Sequence, residues 1–178
     1  MMAAAAVIMA GGRARRLGGV AKPLLRVCGS TILERVAAAA LEAARRVAVA
    51  LSPYTLPAAK PLCPRLPVDA CMELPGAGYP ADMRLAAEAV RARPLLFLPA
   101  DTPFLSPRRL RRFVREAVAA AAGLATLEAG GRGPLGVSLL LGGWEPWVTI
   151  RQEWGPDLLN VNTPEDLVEA ERLCRRLA

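Results

Sequence analysis

Short apolar segments alternate with helix-like segments along this chain, and that alternation limits the possible folds more than any other feature. The segments at residues 4–10, 47–51 and 95–100 are continuous apolar runs, as expected of strands that are buried on both faces. Strands that alternate with helices in this way form a mainly parallel sheet covered by helices. We therefore predict an α/β, Rossmann-like fold in three layers, with residues 1–178 forming one domain.

Weaker patterns mark the other elements. Ser30, Ser106 and Thr163 each precede a helical pattern and are residue types favoured at helix N-caps, so we expect helices to begin there. A glycine loop at residues 76–78 precedes another helical pattern. Further strands are predicted at residues 66–71, 124–127, 137–141, 147–150 and 158–161.

The chain is strongly basic, with a net charge of +7, and all but two of its 23 basic residues are arginine. This excess favours an anionic partner, either a phosphorylated small molecule or a nucleic acid. Four arginines share one face of a predicted helix whose opposite face is apolar, namely Arg108, Arg111, Arg112 and Arg115. No aromatic residues lie among them, as stacking on bases would require. We therefore expect a solvated helix face and no nucleic-acid binding.

Several residue types are scarce or absent. The chain has no histidine, which excludes histidine-based catalysis, and its four cysteines form no CxxC pair, so no zinc site is expected. No apolar run approaches the roughly 20 residues of a membrane-spanning helix, and we expect no membrane association. We expect a cytoplasmic protein with reduced thiols. Asn160, Asn162 and Gln152 are the only side-chain amides, which indicates a thermophilic source.

The loop after the first predicted strand combines glycines with basic residues. Glycines allow the backbone to approach a phosphate closely and to point N–H groups at its oxygens, while Arg16 and Lys22 would supply positive charge. The loop is neither a Walker A sequence, because GK[ST] is missing, nor a GxGxxG sequence. In a chain that otherwise uses arginine, Lys22 indicates that a compact ammonium group is needed at this position.

This loop, AGGRARRLGGVAKPL at residues 10–24, resembles the first loop of a nucleotidyltransferase family, which reads AGGxxxRxGG followed by KPL or KAL. The family includes molybdenum-cofactor guanylyltransferases and archaeal GTP:adenosylcobinamide-phosphate guanylyltransferases. The resemblance implies that Arg16 and Lys22 act in catalysis. It also implies that the triphosphate is bound by Ala10, Gly11, Gly12, Arg16, Gly18 and Lys22.

Four further segments extend the resemblance over nearly the whole chain. PGAGYPAD at residues 75–82 is similar to the cobinamide branch near the base, which implies nucleotide contacts from Gly76, Gly78, Tyr79 and Asp82. Asp101, within PADTP, matches the family's metal-binding aspartate in the form typical of the molybdenum branch, which implies that it binds the metal, contacts the nucleotide and acts in catalysis. PLGVS at residues 134–138 resembles the cobinamide enzymes, and NVNTPEDL at residues 160–167 is common to both branches. These two segments place Gly136, Ser138, Asn160 and Asn162 on the acceptor side.

The chemistry of Asp101 agrees with this resemblance. Asp101 follows the clearest predicted strand, and open α/β sheets bind ligands at the carboxyl ends of their strands. A lone carboxylate there suits Mg²⁺, which keeps several waters and takes its other ligands from substrate phosphates. On a strand, Asn160 and Asn162 would share one face and could complete the metal's shell. Alternatively, they form a turn and cap before the last helix.

The resemblance implies an enzyme that transfers GMP from GTP to adenosylcobinamide phosphate, with Mg²⁺ as cofactor. A molybdenum cofactor guanylyltransferase or another small nucleotidyltransferase is the nearest alternative. A nucleotide-sensing or RNA-binding protein without turnover is an alternative from another class. Asp101 separates the two classes, because sensing has less need of a metal-binding carboxylate facing the triphosphate.

Overall fold

Strand β1 (Ala5–Met9) lies in the middle of a sheet and is buried on both faces, as its apolar sequence predicts. The computed structural model describes residues 1–12 and 20–177. In it, alternate β1 side chains enter two different cores, Ala6 and Ile8 on one face of the sheet and Ala5 and Val7 on the other. Helices cover both faces, so the sheet is the middle of three layers.

Within the described residues the remaining strands are β2 (Arg26–Val27), β3 (Ser30–Thr31), β4 (Val47–Leu51), β5 (Ala70–Glu73), β6 (Leu95–Pro99), β7 (Leu124–Ala129), β8 (Gly133–Leu140) and β9 (Trp147–Gln152). The α-helices are α1 (Ile32–Ala43), α2 (Leu56–Ala59), α3 (Tyr79–Val90), α4 (Pro107–Ala119) and α5 (Pro164–Leu177). Short 3₁₀ helices occupy Lys22–Leu24, Lys60–Arg65 and Pro156–Leu158. The strands β2 and β3 form a separate hairpin.

The main sheet has seven strands in the order β5-β4-β1-β6-β8-β7-β9. β1 pairs in parallel with β4 and with β6, whereas β8 is antiparallel to both of its neighbours, so six of the seven strands run in one direction. The chain leaves β1 for β4 on one side and later returns to β6 on the other. This reversal opens a crevice at the carboxyl ends of β1, β4 and β6, which is the usual ligand site of such sheets. The predicted α/β fold with a mainly parallel sheet is confirmed.

The two cores are formed by different helices. α1, α4 and α5 pack on one face of the sheet, and α3 packs on the other through Met83, Ala86 and Ala87. α4 has the predicted amphipathic pattern, because Leu110 and Phe113 are fully buried. Its arginine face is directed away from the core, with Arg108, Arg112 and Arg115 exposed. None of the helices in the described part of the chain is long and apolar enough to cross a membrane.

The start of α1 differs by one residue from the prediction. Thr31, not Ser30, is the N-cap, and Ser30 pairs with Val27 in the β2–β3 hairpin. The Thr31 hydroxyl accepts from the Glu34 backbone N–H at 3.2 Å, while the Glu34 carboxylate accepts from the Thr31 N–H at 2.7 Å. These hydrogen bonds lower the pKa of Glu34. Ser30 lacks an acidic residue three positions later, and that reciprocal pair decides which residue caps the helix.

Two strand predictions require correction. The strand predicted at residues 66–71 begins later, at Ala70, because Leu66 still closes a 3₁₀ helix and Asp69 uses its carboxylate to accept from the Val47 N–H. The strand predicted at residues 158–161 is wrong. Pro156–Leu158 is a 3₁₀ helix, and the segment joins the sheet region through a hydrogen bond from the Val161 N–H to the Asp101 carbonyl at 2.7 Å. Its apolar residues are buried without forming a strand ladder.

The expectation of reduced thiols is also wrong in this structure, in which Cys28 is bonded to Cys174 and Cys63 to Cys71. The first disulfide joins the turn of the β2–β3 hairpin to α5 across a sequence separation of 146 residues. Closing so long a loop stabilises a folded chain by about 5 kcal/mol in the chain-entropy model. Neither pairing is visible as a sequence motif, since each depends on tertiary contact.

Candidate active site

A cavity of about 420 Å³ opens at the carboxyl ends of β1, β4 and β6. All but two of the residues predicted to bind the nucleotide line it: Ala10, Gly11, Gly12, Lys22, Gly76, Gly78, Tyr79, Asp82 and Asp101. The remaining two, Arg16 and Gly18, lie outside the described residues. The fold therefore brings together two glycine segments, one lysine and two carboxylates that are far apart in the sequence.

Ser52 connects the first glycine segment to the rest of the cavity. It follows β4, is 2% exposed, and donates its hydroxyl to the Gly11 carbonyl at 2.7 Å. The same hydroxyl accepts from the Tyr54 backbone N–H at 3.3 Å. A Cβ atom at Gly11 would lie 3.0 Å from the Ser52 Cβ, a tight contact, so the close approach of the two strand ends favours glycine at position 11.

The second glycine segment enters the first turn of α3. Gly76 and Gly78 have φ values of +71° and +114°, which favour glycine. Gly76 also packs beneath the Tyr54 ring, since an added Cβ would lie 3.1 Å from a ring carbon. The Asp82 carboxylate accepts from the Ala77 N–H at 3.3 Å and so holds the loop against the helix.

Tyr79 spans the cavity from α3 to β8. Its hydroxyl donates to the Gly136 carbonyl at 2.5 Å, which ties the predicted base loop to the predicted acceptor segment. Although 37% of the residue is exposed, the hydroxyl points inward. Burial, together with the nearby Asp101 carboxylate, raises the pKa of Tyr79. The hydroxyl therefore remains protonated and acts as a hydrogen-bond donor.

Lys22 lies between the strand ends and the segment before α5. Its ammonium group donates to the Asn162 side-chain carbonyl at 2.5 Å and lies 4.0 Å from an Asp101 carboxylate oxygen. The 3₁₀ helix that begins at Lys22 fixes the backbone at this point. Lys22 and Asp101 thus place one positive and one negative charge in the cavity that Gly11 and Gly12 also line.

One side-chain oxygen of Asp101 lacks a hydrogen-bond partner among the described residues. Its Oδ1 atom is buried and accepts no hydrogen bond from any described residue. Burial raises the pKa of Asp101 to about 6, although the Lys22 ammonium group acts in the opposite direction. A buried acceptor without a donor costs free energy, which a cationic or hydrogen-bonding ligand would remove.

The cavity fits a metal that takes most of its ligands from its substrate. Within residues 1–12 and 20–177 no three acidic, cysteine or histidine side chains converge to form a metal cage. A carboxylate with one oxygen to which no described residue donates matches the way Mg²⁺ is held beside substrate phosphates. Asp101 is the residue positioned to hold such an ion.

Only two of the four residues predicted on the acceptor side form hydrogen bonds with residues that line the cavity. Gly136 contacts Tyr79 through its carbonyl, and Asn162 binds Lys22. Ser138 is 4% exposed, and its hydroxyl is paired with the Thr126 hydroxyl at 3.1 Å inside the sheet. None of the four predicted acceptor-side residues lines the cavity itself, although Gly136 and Asn162 each bind a residue that does. Asn160 and Asn162 do not alternate on a strand, so their predicted common face is absent, and their acceptor role stays a prediction.

Comparison with known proteins adds to this geometry. Residues 6–176 match the family model described as the MobA-like NTP transferase domain. The chain belongs to this family. No curated protein matches it. The enzyme is therefore a nucleotidyltransferase, which uses a nucleoside triphosphate and an acceptor.

Solved structures share the fold of this nucleotidyltransferase at low sequence identity. A nucleotidyl transferase from Methanothermobacter thermautotroptrophicus is 20% identical with a TM-score of 0.73, covering 98% of each chain. Molybdopterin-guanine dinucleotide biosynthesis protein A from Archaeoglobus fulgidus is 18% identical with a TM-score of 0.72, covering 97% of this chain and 99% of its own. The manganese complex of Rv0371c from Mycobacterium tuberculosis is 19% identical with a TM-score of 0.69, covering 94% of this chain and 97% of its own.

Sequence reasoning missed two residues at the cavity: Tyr54, which lines it, and Ser52, which binds Gly11. Both follow β4, whose carboxyl end lies beside that of β1 because the two strands pair in parallel. The rule that ligands bind at strand ends could have identified them. Their short polar segment contains no glycine motif, so it resembles an ordinary turn when the sequence is read alone.

Proposed function

We propose that this nucleotidyltransferase transfers GMP from GTP to adenosylcobinamide phosphate, giving adenosylcobinamide-GDP and pyrophosphate. The observation that carries the proposal is the buried Oδ1 of Asp101, which accepts no hydrogen bond from any described residue and lies beside Lys22 at the ends of three adjacent strands. A site that only held a nucleotide would have little use for a buried carboxylate near its phosphates. The choice of acceptor rests on the sequence resemblance of residues 75–82 and 134–138 to the cobinamide branch.

In the proposed reaction an oxygen of the acceptor phosphate forms a bond to the α-phosphorus of GTP. The bond from that phosphorus to the bridging oxygen breaks, and the electron pair leaves with pyrophosphate. An acceptor phosphate is already largely ionised near neutral pH, so no general base is needed, in keeping with a chain that lacks histidine. Positioning and charge neutralisation supply most of the acceleration in such transfers.

In the proposed mechanism, different groups of the chain bind the triphosphate and the metal. The backbone N–H groups of Gly11 and Gly12, with Lys22 and Arg16, hold the triphosphate, and Asn162 orients the Lys22 ammonium group. Asp101 would hold Mg²⁺, which offsets the charge that develops on the departing pyrophosphate. The manganese complex of the similar Rv0371c supports the use of a divalent ion.

The second candidate is a molybdenum cofactor guanylyltransferase. The segment around Asp101, PADTP, has the form typical of that branch, and one structural neighbour is a molybdopterin-guanine dinucleotide biosynthesis protein. The second glycine loop argues against it, because residues 79–82 read YPAD where those enzymes have PLxG.

One panel of assays tests both candidates. Purified protein, Mg²⁺ and each of the four nucleoside triphosphates are combined with adenosylcobinamide phosphate or molybdopterin, and pyrophosphate release is measured. We expect release only with GTP and adenosylcobinamide phosphate. Release with molybdopterin alone would favour the second candidate, and nucleotide binding without release in any combination would favour a sensing protein.

We further infer that the enzyme works in the cytoplasm of a thermophile. Disulfides are rare in the cytoplasm of mesophiles, but intracellular proteins of hyperthermophiles are an exception. The two disulfides and the scarcity of Asn and Gln are both typical of intracellular proteins of hyperthermophiles, and together they support this setting. Measuring free thiols after purification from the native cytoplasm under alkylating conditions tests this, and four free thiols would contradict it.

A further inference from the structure

Asn162, which binds the Lys22 ammonium group, is fixed to the start of α5. The Asp166 carboxylate, in the first turn of the helix, accepts from the backbone N–H groups of Asn162 and Thr163, each at 2.8 Å. The Thr163 hydroxyl in turn accepts from the Asp166 N–H at 3.2 Å. Because these reciprocal hydrogen bonds join Asn162 to the helix, any movement of α5 also moves the Asn162 side chain.

Lys22 is joined as closely to the β2–β3 hairpin. The 3₁₀ helix that begins at Lys22 is followed by Leu25, whose N–H donates to the Lys22 carbonyl at 3.1 Å. The Leu25 carbonyl accepts from the Ile32 N–H at 2.9 Å, which fixes the base of the hairpin. Cys28 lies in the turn of the hairpin. The path from Lys22 to Cys28 is therefore short and structured throughout.

The surface between α5 and the hairpin is apolar apart from one covalent link. Val27 of the hairpin and Ala170 and Leu173 of α5 are buried in the same core, and no hydrogen bond or ion pair among the described residues joins the two elements. Apolar packing is not directional, so by itself it permits a helix to slide or turn on its neighbour. The Cys28–Cys174 disulfide, with 5.4 Å between the two Cα atoms, fixes their relative position.

We propose that the Cys28–Cys174 disulfide is a positioning element of the triphosphate site: it fixes α5 on the hairpin so that Asn162 meets and orients the Lys22 ammonium group. This inference rests on the proposed function, in which Lys22 holds the triphosphate. Neither cysteine lines the cavity, so both act through the contact between Lys22 and Asn162. A dithiol reagent that supplies two electrons and two protons converts the disulfide to two thiols, becomes a disulfide itself, and should weaken nucleotide binding.

The second disulfide provides a matched control. Cys63 and Cys71 are eight positions apart, and their bond joins the 3₁₀ helix Lys60–Arg65 to β5. β5 also pairs with β4 through its backbone, and this pairing does not depend on the bond. Neither of these cysteines lies on the path between Lys22 and Asn162. Loss of the second disulfide should therefore leave GTP affinity unchanged.

Each disulfide is tested in a protein that contains no other. Cys63→Ser/Cys71→Ser keeps the first disulfide, and Cys28→Ser/Cys174→Ser keeps the second. GTP affinity is measured by calorimetry before reduction with dithiothreitol, after reduction and after reoxidation. In the first protein, reduction should weaken GTP binding by about two- to tenfold, the range of one net hydrogen bond, and reoxidation should restore it. The second protein should bind GTP with the weaker affinity in every state. An affinity of the first protein that does not change on reduction would overturn the proposal.

A third substitution tests whether the disulfide acts through Asn162. Asn162→Ala removes the side chain that orients Lys22, so the disulfide has nothing left to position. The triple variant Cys28→Ser/Cys174→Ser/Asn162→Ala should therefore bind GTP with the affinity of Asn162→Ala alone, a non-additivity expected of residues that act on one contact. A general loosening of the structure would not produce this result. If the factors multiply, the disulfide does not act through Asn162 and the proposal is overturned.

A second pair of substitutions guards against a variant that does not fold, which circular dichroism would show. Cys28→Gly/Cys174→Ala suits both positions, because Cys28 has a φ of +52°, which favours glycine, and Cys174 packs against the core. If this pair also fails to fold, the disulfide is a general requirement of the fold, and its specific role in positioning is overturned.

The outcomes separate this inference from the proposed function. A parent protein that binds another nucleoside triphosphate in place of GTP would overturn the guanylyltransferase proposal. The same comparison of oxidised and reduced protein with that nucleotide would then decide the role of the disulfide, since Lys22 is assigned to phosphate and not to the base. A parent that binds no nucleoside triphosphate would overturn both. GTP binding of equal strength in both redox states would overturn the role of the disulfide alone.

Discussion

Asp101 and Asp157 each follow the carboxyl end of a strand and are similarly exposed, at 22% and 25% of the side chain, yet their surroundings are opposite. Arg109 donates to both oxygens of Asp157, at 2.9 and 2.8 Å, and the Ser106 hydroxyl donates at 3.1 Å. Asp101 has a salt-bridge partner only at 4.0 Å and one buried oxygen with no donor among the described residues.

The pKa values of the two aspartates shift in opposite directions. Burial raises the pKa of Asp101 to about 6, whereas at Asp157 the effect of burial is outweighed by the hydrogen bonds and charge of Arg109, which lower its pKa. A carboxylate with all its partners within the chain stabilises the fold. A carboxylate without such partners destabilises the fold unless a ligand supplies them. A buried carboxylate oxygen without a donor therefore indicates a ligand-binding site.

The largest effect is expected at Asp101. Asp101→Asn keeps the size and removes the charge, so turnover should fall by about a hundredfold or more, the scale of losing one preorganised electrostatic group. GTP affinity without acceptor should stay close to that of the parent, because the glycine segment and Lys22 still hold the phosphates. The assay pairs calorimetry with pyrophosphate release over a range of Mg²⁺.

The same substitution should not lower the melting temperature, since no described hydrogen bond to the Asp101 side chain is lost. Parent-like turnover at limiting Mg²⁺ would show that Asp101 is only a turn residue. In that case Asp101 and Asp157 would differ in their hydrogen bonds and pKa values but not in function.

Lys22 should give the next largest effect. Lys22→Ala removes the ammonium group that Asn162 orients, and triphosphate binding should weaken by about ten- to a hundredfold, as expected for a lost charged contact. Isothermal titration with GTP measures this. Asn162→Ala should reproduce part of the loss, because it frees the ammonium group without removing it. An Asn162→Ala variant that binds GTP like the parent would show that the orientation is unimportant.

Asp157 is expected to affect stability and not chemistry. Asp157→Asn breaks the paired hydrogen bonds to Arg109, which should lower the free energy of unfolding by about 1–3 kcal/mol. Denaturant unfolding measures the loss, and turnover at moderate temperature should stay at the parent's level. Glu128→Gln, at the exposed ion pair with Arg151, is the control and should cost well under about 1 kcal/mol.

The pH dependence of stability follows from the sign of the Asp157 shift. Because the pKa of Asp157 is lower in the folded than in the unfolded chain, its contribution is complete above about pH 4, the ordinary value for aspartate. The contribution is lost as pH falls through the folded pKa. The stability difference between the parent and Asp157→Asn should therefore be full at neutral pH and shrink in stronger acid. A difference that persists undiminished at pH 2 would argue against the ion pair.

The smallest effect is expected at Arg112, on the solvated face of α4. Arg112 is paired with Glu116 at 2.7 Å, one helical turn away, and such pairs contribute only about 0.3–0.5 kcal/mol. Arg112→Ala should leave nucleotide binding and turnover unchanged. A loss as large as that of Lys22→Ala would mean that the basic surface belongs to the site.

The sequence predicted those parts of the fold in which local pattern and tertiary environment agree. β1 and β6 are apolar on both faces because both faces are buried, and α4 has a cap, a proline and an amphipathic repeat that all indicate one helix. Leu158, Leu159 and Val161 are also apolar and buried, but their segment is irregular. Apolar composition predicts that a segment is buried. It does not predict whether the segment has a neighbouring strand with which it can pair.

For the candidate site, the sequence motifs predicted which segments line the cavity, and they could not predict how the side chains pair. The contact between Lys22 and Asn162 joins residues 140 positions apart, and the orientation of Tyr79 toward Gly136 depends on the sheet order β1-β6-β8. Ser52 matters because its hydroxyl meets the Gly11 carbonyl. Such roles arise from tertiary proximity and leave no mark in a single sequence.

The disulfide between Cys28 and Cys174 makes a closed covalent ring of most of the chain. A backbone cut inside that ring would leave both pieces attached, and they would separate on a gel only after reduction. β1 lies outside the ring and pairs with two strands inside it, β4 and β6. Hydrogen bonds and packing, and not the ring, therefore hold the strand that precedes Gly11 and Gly12 in place, whereas β4 to β9 all lie within the ring.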